Sequence, residues 1–376
     1  MTSPRRRIPA RRASRGLLAL VAVVAGVLLV ELGLRLLPEP GLRGLHVLRP
    51  DRPWLYELRP GAQLRGPDGT AYRINAQGFR DRLRSPSPAP GGFRVIVLGD
   101  SIAFGYRVAR REAFPAQLET QLRRAARARD PAVAHDVEVL DWGVSGYNPY
   151  NEAALLAGRA AEFAPDLVLA QFCVNDLNDP TLHFGASTQL ALGSLPKAAY
   201  PDPAARRRRP RWERACLRSH LCRALLALAR GGFAAPRDEA QARRSYAPIG
   251  SDRGAAEWEW LGARYREMQA SARSMGARFG VVVFPYRDQL VDAEAPAPQP
   301  ALRALGRAGG WPTIDLLDAF REAAGAEPLF LDIWHPTAAG HRIAAARTAL
   351  ALRCAALVPG PPPDAARCRE PDGSSP

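Results

Sequence analysis

Short apolar runs alternate with helical patterns along most of this chain, and that alternation limits the folds open to it. The runs are Phe93-Arg-Val-Ile-Val-Leu98, Val137–Leu140, Leu167–Phe172, Gly280–Phe284 and a weaker one at Thr313–Leu316. Each has strand length, and all but the weakest are predominantly apolar, as strands buried on both faces are. Between two of them, Trp258, Leu261, Tyr265, Met268 and Ala272 recur at helical spacing and define one buried face. Strand–helix–strand repeats with crossovers this long pair in parallel. The expected architecture is therefore α/β, a three-layer doubly wound parallel sheet with helices on both sides. Such sheets carry their sites beyond the carboxyl ends of the strands.

The N-terminus is of another kind. Arg5, Arg6, Arg7, Arg11, Arg12 and Arg15 precede an apolar stretch, Leu17–Leu37, interrupted only by Glu31 and Arg35. As a helix it would span roughly 31 Å, enough for a bilayer core. Glu31 and Arg35 are four residues apart and can neutralise each other. The basic flank predicts a cytoplasmic tail (1–16), a transmembrane signal anchor (17–37) and an exported body. A cleavable signal peptide is the alternative. No small-x-small cleavage site follows the run and no Cys offers a lipoprotein site, so the uncleaved anchor is the expectation.

The remaining boundaries follow composition. Residues 38–92 read as an irregular stalk ending in the Pro/Ser/Gly linker Ser85–Gly92. Residues 93–357 form the α/β domain, and 180–255 interrupt its rhythm as a Pro/Arg-rich insertion with a solvated Arg206–Arg209 run. Residues 358–376 read as a disordered tail. The formal charge of +15 does not signal nucleic acid: 52 residues are basic, but Lys197 is the single lysine and no basic patch is interleaved with aromatics. Five cysteines suit an exported protein. Cys354 falls on the stripe Ile343, Ala346, Leu350, Leu357 and reads as a buried thiol. Cys216 and Cys222 are separated by about 9 Å of helical rise, too far to pair together. Cys368 is then a candidate partner for one of them, and an odd count leaves at least one thiol outside any internal pair.

The chemistry-bearing residues sit where the strands end. Gly99-Asp100-Ser101 follows the first run and precedes a short helical segment, which suits a nucleophile but also an ordinary helix cap. Asp141-Trp-Gly-Val-Ser-Gly146-Tyr-Asn148 follows the second, and Cys173-Val-Asn175-Asp176 the third. Asp332-Ile-Trp-His335-Pro336 precedes the last helix, and Asp and His three apart let a carboxylate hold an imidazole. Phe104, Trp142, Tyr147 and Trp334 flank these blocks, as pocket walls or as core. None of the six histidines lies in a metal-ligand motif, so neither metal nor cofactor is expected.

In these blocks the sequence resembles the SGNH hydrolases, or GDSL esterase/lipase family, of the bacterial membrane-anchored or exported type. The resemblance covers roughly residues 71–355 and includes the upstream segment Asn75-Ala-Gln-Gly-Phe-Arg-Asp81. It implies a flavodoxin-like SGNH fold, with Ser101 as nucleophile and Asp332 and His335 completing a triad. Ser101, Gly146 and Asn175 would form the oxyanion hole. Two positions depart from the pattern: Cys173 stands where the third block has Gly, and Asp141 where the second has Asn. The implied activity is an exported esterase or deacetylase acting on an O-acyl ester of a cell-envelope glycan, lipid or small molecule. An O-acyltransferase working with a multi-spanning membrane partner and a non-catalytic envelope scaffold are the alternatives.

Overall fold

The computed structural model describes residues 10–36, 41–49, 52–66, 68–127, 137–177, 219–222, 225, 249, 254–360 and 363–368. The Arg206–Arg209 run, Cys216 and most of the insertion lie outside them.

Five parallel strands make the central sheet: β5 (Phe93–Gly99), β6 (Val137–Gly143), β7 (Leu167–Phe172), β8 (Arg278–Val283) and β9 (Thr313–Asp315). Their order is β6-β5-β7-β8-β9, the flavodoxin-like arrangement. Successive side chains of a strand leave on opposite faces, and the core divides accordingly. Ile96, Leu98, Val168, Ala170, Val281 and Val283 pack on one side with Leu155 and Leu156 of α4 (Pro149–Arg159) and Leu261, Tyr265 and Met268 of α5 (Gly254–Ser274). Val95, Val97, Leu167, Leu169 and Val282 face the other side, against Phe114, Leu118 and Leu122 of α3 (Phe114–Arg127) and Ala345 and Leu352 of α9 (Ala338–Cys354). The inner strands are therefore apolar at most positions, which is why the runs were legible. β6 extends past Leu140 because Asp141 and Trp142 continue the ladder opposite Val97 and Leu98.

The chain leaves β5 for β6 on one side and returns to β7 on the other. The connections after β5 and β7 thus diverge at the carboxyl edge and leave a crevice between them. The nucleophile-like block and the Asn block flank it. Three more short helices follow, α6 (Asp288–Val291), α7 (Gln299–Gly309) and α8 (Leu317–Ala323), with α10 (Ala365–Cys368) closing the described chain.

Residues 46–84 are not a stalk. β1 (His46–Leu48) pairs antiparallel with β2 (Tyr56–Leu58), and β3 (Gln63–Arg65) with β4 (Ala71–Arg73). Leu45, Trp54, Tyr56, Leu58, Tyr72, Ile74 and Phe79 are buried in the same core as one face of the sheet. Phe79 stacks on Trp142 at 4.7 Å between centroids. The Tyr147 hydroxyl donates to the Tyr56 carbonyl at 2.6 Å, and Asn151 Nδ2 to the Trp54 carbonyl at 3.0 Å. Arg84 ties the segment to α3 and β6, with Asp81 at 2.7 Å, Glu119 at 2.8 Å and the Val139 carbonyl at 2.6 Å. Three-residue strands are too short to show a period, and their burial depends on a distant sheet.

The cysteine readings also change. Cys354 is half-buried and disulfide-bonded to Cys368, Cα to Cα 5.5 Å. The buried face of α9 is His341, Ala344, Ala345, Thr348 and Leu352, rotated from the stripe assigned to Cys354. Cys368 is thus not the partner of Cys216 or Cys222; Cys222 is disulfide-bonded elsewhere. The bridge also anchors α10, so residues 365–368 are ordered rather than part of a disordered tail. Cys173 is free and buried.

Helix α1 (Ala10–Leu36) contains a 21-residue stretch, Arg15–Arg35, whose most apolar 18 residues have a mean hydropathy of 2.7 and are not buried. Its length and composition fit a membrane anchor or a signal sequence. Arg35 Nε meets Glu31 at 2.9 Å. The Glu31 carboxylate also accepts from Ser219 Oγ at 2.9 Å and from the backbone N–H groups of His220 at 3.0 Å and Leu221 at 2.8 Å.

Candidate active site

Strand β5 ends at Gly99, and the chain turns at once into α2 (Ser101–Phe104). Asp100 caps this turn, its Oδ1 accepting the Ile102 N–H at 2.8 Å, and Gly105 closes it in the left-handed region at φ +76°. The turn lies so close to β6 that a Cβ at Gly143 would overlap the Phe104 backbone nitrogen. That contact explains the glycine in Asp-Trp-Gly. Ser101 stands half-buried at the head of α2.

The Asp332–His335 loop meets it from the far end of the sequence. Ser101 Oγ and His335 Nε2 are 2.8 Å apart. His335 Nδ1 lies 2.8 Å from Asp332 Oδ2, and Asp332 Oδ1 accepts the backbone N–H groups of Trp334 and His335, each at 2.9 Å. One carboxylate thus folds its own loop and holds the imidazole. Burial pushes the Asp332 carboxyl up, but His335 and these two N–H groups outweigh it and hold its pKa at about 2. An ionised Asp332 orients the Nδ1–H tautomer, which leaves Nε2 as the acceptor for the serine proton.

Gly146 lies in the turn after β6 with φ +87°, a conformation that favours glycine. Asn175 lies in the single 3₁₀ turn Val174–Leu177 after β7, and its Nδ2 donates to Asp100 Oδ2 at 3.0 Å. The amide is thereby tethered to the residue preceding Ser101. Cys173 replaces glycine without strain, because its φ lies outside the left-handed region. Its N–H donates to Asp176 Oδ2 at 3.0 Å and its thiol is buried with the core. Asp141, at the other departure from pattern, accepts the Gly143 N–H at 2.9 Å; burial holds its carboxyl well above the usual range.

More buried acids lie beneath the site. Burial pushes Asp100 up, against the Ile102 N–H and Asn175, which favour its charged form. Burial, together with neighbouring carboxylates, pushes Glu152 and Asp176 well up. Three carboxyl groups in so dry a place do not all carry charge at neutral pH. Among the described residues no group of three or more His, Cys, Asp or Glu is arranged to hold a metal ion.

Of the four aromatics near the sequence blocks, Phe104, Trp142 and Tyr147 are core residues, and only Trp334 is half-buried beside His335, at 6.3 Å between rings. The residue that sequence reading missed is Tyr106, whose ring packs on His335 at 4.6 Å between centroids. It follows Ser101 by five positions, and no spacing rule marks it.

Residues 97–343 match the model of the GDSL-like lipase/acylhydrolase family. Among curated proteins, none matches the sequence. Several solved structures are similar. A catalytic mutant of Axe2, an acetylxylan esterase from Geobacillus stearothermophilus, is 16% identical, with 70% of this chain and 93% of that one covered and a TM-score of 0.38. A putative lipolytic protein of the G-D-S-L family from Desulfitobacterium hafniense DCB-2 is 12% identical, with 69% and 98% covered and a TM-score of 0.36. The acetyl xylan esterase AlAXEase is 14% identical, with 68% and 98% covered and a TM-score of 0.40. With two-thirds of its length matched by the family model, from the end of the first sheet strand into the last long helix, this chain belongs to the GDSL-like lipase/acylhydrolase family and is a carboxylic-ester hydrolase by kind.

Proposed function

We propose that the protein is an exported serine esterase or deacetylase that removes an O-acyl group through an acyl-enzyme on Ser101. The observation that carries this reading is the continuous relay from Ser101 Oγ through His335 to Asp332, both links 2.8 Å long. In the proposed cycle His335 Nε2 takes the hydroxyl proton as Oγ attacks the ester carbonyl. The oxyanion is met by the Ser101 and Gly146 backbone N–H groups and by Asn175 Nδ2. The intermediate collapses as His335 returns the proton to the leaving alcohol. Water, activated by the same imidazole, then releases the acid. No step calls for a metal or cofactor.

The apolar stretch 17–37 supports a single-pass anchor in the inner membrane. The arginines before it support an extracytoplasmic catalytic domain. The bilayer and an acyl-ester substrate of the envelope are the partners this reading requires; nucleic acid is not one.

The test uses the full-length chain in detergent with p-nitrophenyl acetate and a fluorophosphonate probe. The wild type should turn over the ester and be labelled covalently, and Ser101→Ala should do neither while its unfolding midpoint stays within the equivalent of about 1 kcal/mol. Wild-type turnover in Ser101→Ala would end the nucleophile assignment. Acetylation of an added sugar in preference to release of acetate would move the reading to an acyltransferase.

A further inference from the structure

Arg80 is among the most deeply buried side chains of the protein, at 1% exposure, and no described carboxylate ion-pairs with it. Its fork is occupied by carbonyls. Nη1 donates to Phe104 O at 2.8 Å and Gly105 O at 2.6 Å, and Nη2 to Val108 O at 2.8 Å and Ala71 O at 3.4 Å. The guanidinium carbon lies 4.5 Å from the Tyr72 ring centre and 5.1 Å from that of Phe104. Burying an arginine on neutral acceptors is costly. Here the buried fork fixes one loop, residues 104–108, which leads directly away from Ser101.

That loop is unusual in its own backbone. Gly105 and Arg107 both have left-handed φ, +76° and +59°, and Arg107 is not glycine, so its conformation must be imposed from outside. Tyr72 supplies part of the hold: its hydroxyl accepts the Arg107 N–H at 2.8 Å. Between the two left-handed residues stands Tyr106, its N–H on the Ser101 carbonyl at 2.9 Å and its ring against the His335 imidazole. Arg80 and Tyr72 both come from the segment before the central sheet, outside the residues matched to the family.

We propose that Arg80, assisted by Tyr72, is a positioning residue for the hydrolytic site: it holds loop 104–108 in the shape that lays Tyr106 against His335, and Tyr106 sets the tilt of the imidazole toward Ser101. The inference rests on the esterase reading above. A lysine cannot replace this arginine, because one ammonium cannot span carbonyls from Phe104 to Val108 as a planar five-donor fork does. Small displacements of a catalytic group cost rates heavily, on the order of 10²-fold for 1 Å.

The experiment is a double-mutant cycle on the full-length chain in detergent. It measures kcat and KM for p-nitrophenyl acetate per fluorophosphonate-titrated site, together with the rate constant of labelling. Arg80→Lys should lower kcat about 10- to 100-fold with KM within about threefold, and Tyr106→Ala should lower it to a similar extent. In the Tyr106→Ala background, Arg80→Lys should cost less than about threefold more, since the two act through one contact. Losses that multiply, or an unchanged kcat in Arg80→Lys, would overturn the proposal. Should Arg80→Lys give no folded protein, Tyr72→Phe paired with Tyr106→Ala decides by the same criterion, because it removes one hydroxyl and keeps the ring. A wild type that neither labels nor hydrolyses would overturn the esterase reading and this inference together. An active wild type with multiplying losses would overturn this one alone.

Discussion

Replacing Asn175 by alanine should strike catalysis and stability at once, and in separable amounts. In the proposed mechanism Nδ2 is one of three donors to the oxyanion, and losing one such donor costs about 10²–10³ in kcat, or roughly 2.7–4 kcal/mol. The same nitrogen donates to Asp100 Oδ2 at 3.0 Å, and Asp100 is 2% exposed. Without it that buried carboxyl keeps the Ile102 N–H on its other oxygen but loses its side-chain partner. A hydrogen bond to a charged group contributes about 1.5–3 kcal/mol. Asp100 is already pushed up by burial, with Asn175 among the groups favouring its charged form. The variant therefore relieves part of the loss by taking up a proton, and a net destabilisation of about 1–2 kcal/mol is expected. Because losing Asn175 pushes Asp100 further up, the variant's midpoint should fall more steeply than the wild type's as pH rises through the range where Asp100 titrates. The assay is kcat per fluorophosphonate-titrated site, with KM and the thermal midpoint measured on the same preparation. A kcat within about threefold of wild type beside a lowered midpoint would refute the oxyanion role and leave Asn175 as a tether for Asp100. A lowered kcat with an unmoved midpoint would mean that the bond to Asp100 contributes nothing measurable to stability.

Asp332→Asn should lower kcat by on the order of 10³–10⁴ with little change in KM, because an amide no longer enforces the Nδ1–H tautomer; turnover within tenfold of wild type would remove Asp332 from the relay. The Cys354–Cys368 bridge closes a loop of sequence separation 14, so Cys354→Ser should cost about 2–4 kcal/mol in denaturant unfolding and leave kcat intact. An unchanged midpoint in urea would mean that the tail contributes nothing to the folded domain. His341 is buried, and desolvation pushes its imidazole down from 6.5 to about 3. The unfolded chain therefore binds a proton below about pH 6.5 that the folded chain refuses until about pH 3, so stability falls as pH drops through that window, by up to about 1.4 kcal/mol per unit. His341→Leu should flatten the curve of midpoint against pH between 6.5 and 4, and superimposable curves would contradict a neutral buried His341. His46, held down at about 4 by burial, adds a slope of the same sign in both proteins.

What the sequence determined by itself was set by local pattern. Val95–Leu98 and Leu167–Phe172 are apolar at nearly every position because both faces of a central parallel strand are covered. Three of the four motif blocks fall at strand ends because such a sheet exposes its loops there, while the Asp332–His335 block lies in the loop between α8 and α9. Tertiary structure decided whatever depended on residues far apart in the chain. The meeting of Ser101 with His335 joins positions 234 apart, and its 2.8 Å length depends on packing α9 against α3, which brings the loop before α9 to the head of α2. The pairing of Cys354 depended on how α9 is rotated on the sheet, and a rotation of one stripe turned an expected core thiol into a bridge to Cys368. Residues 46–84 look irregular in one dimension because three-residue strands carry no period. Their Trp, Tyr and Phe side chains find a core only once α4 and β6 exist to receive them. Arg80 belongs to the same class. In sequence it is one arginine among many, and only the folded loop, with three carbonyls turned toward one guanidinium, sets it apart.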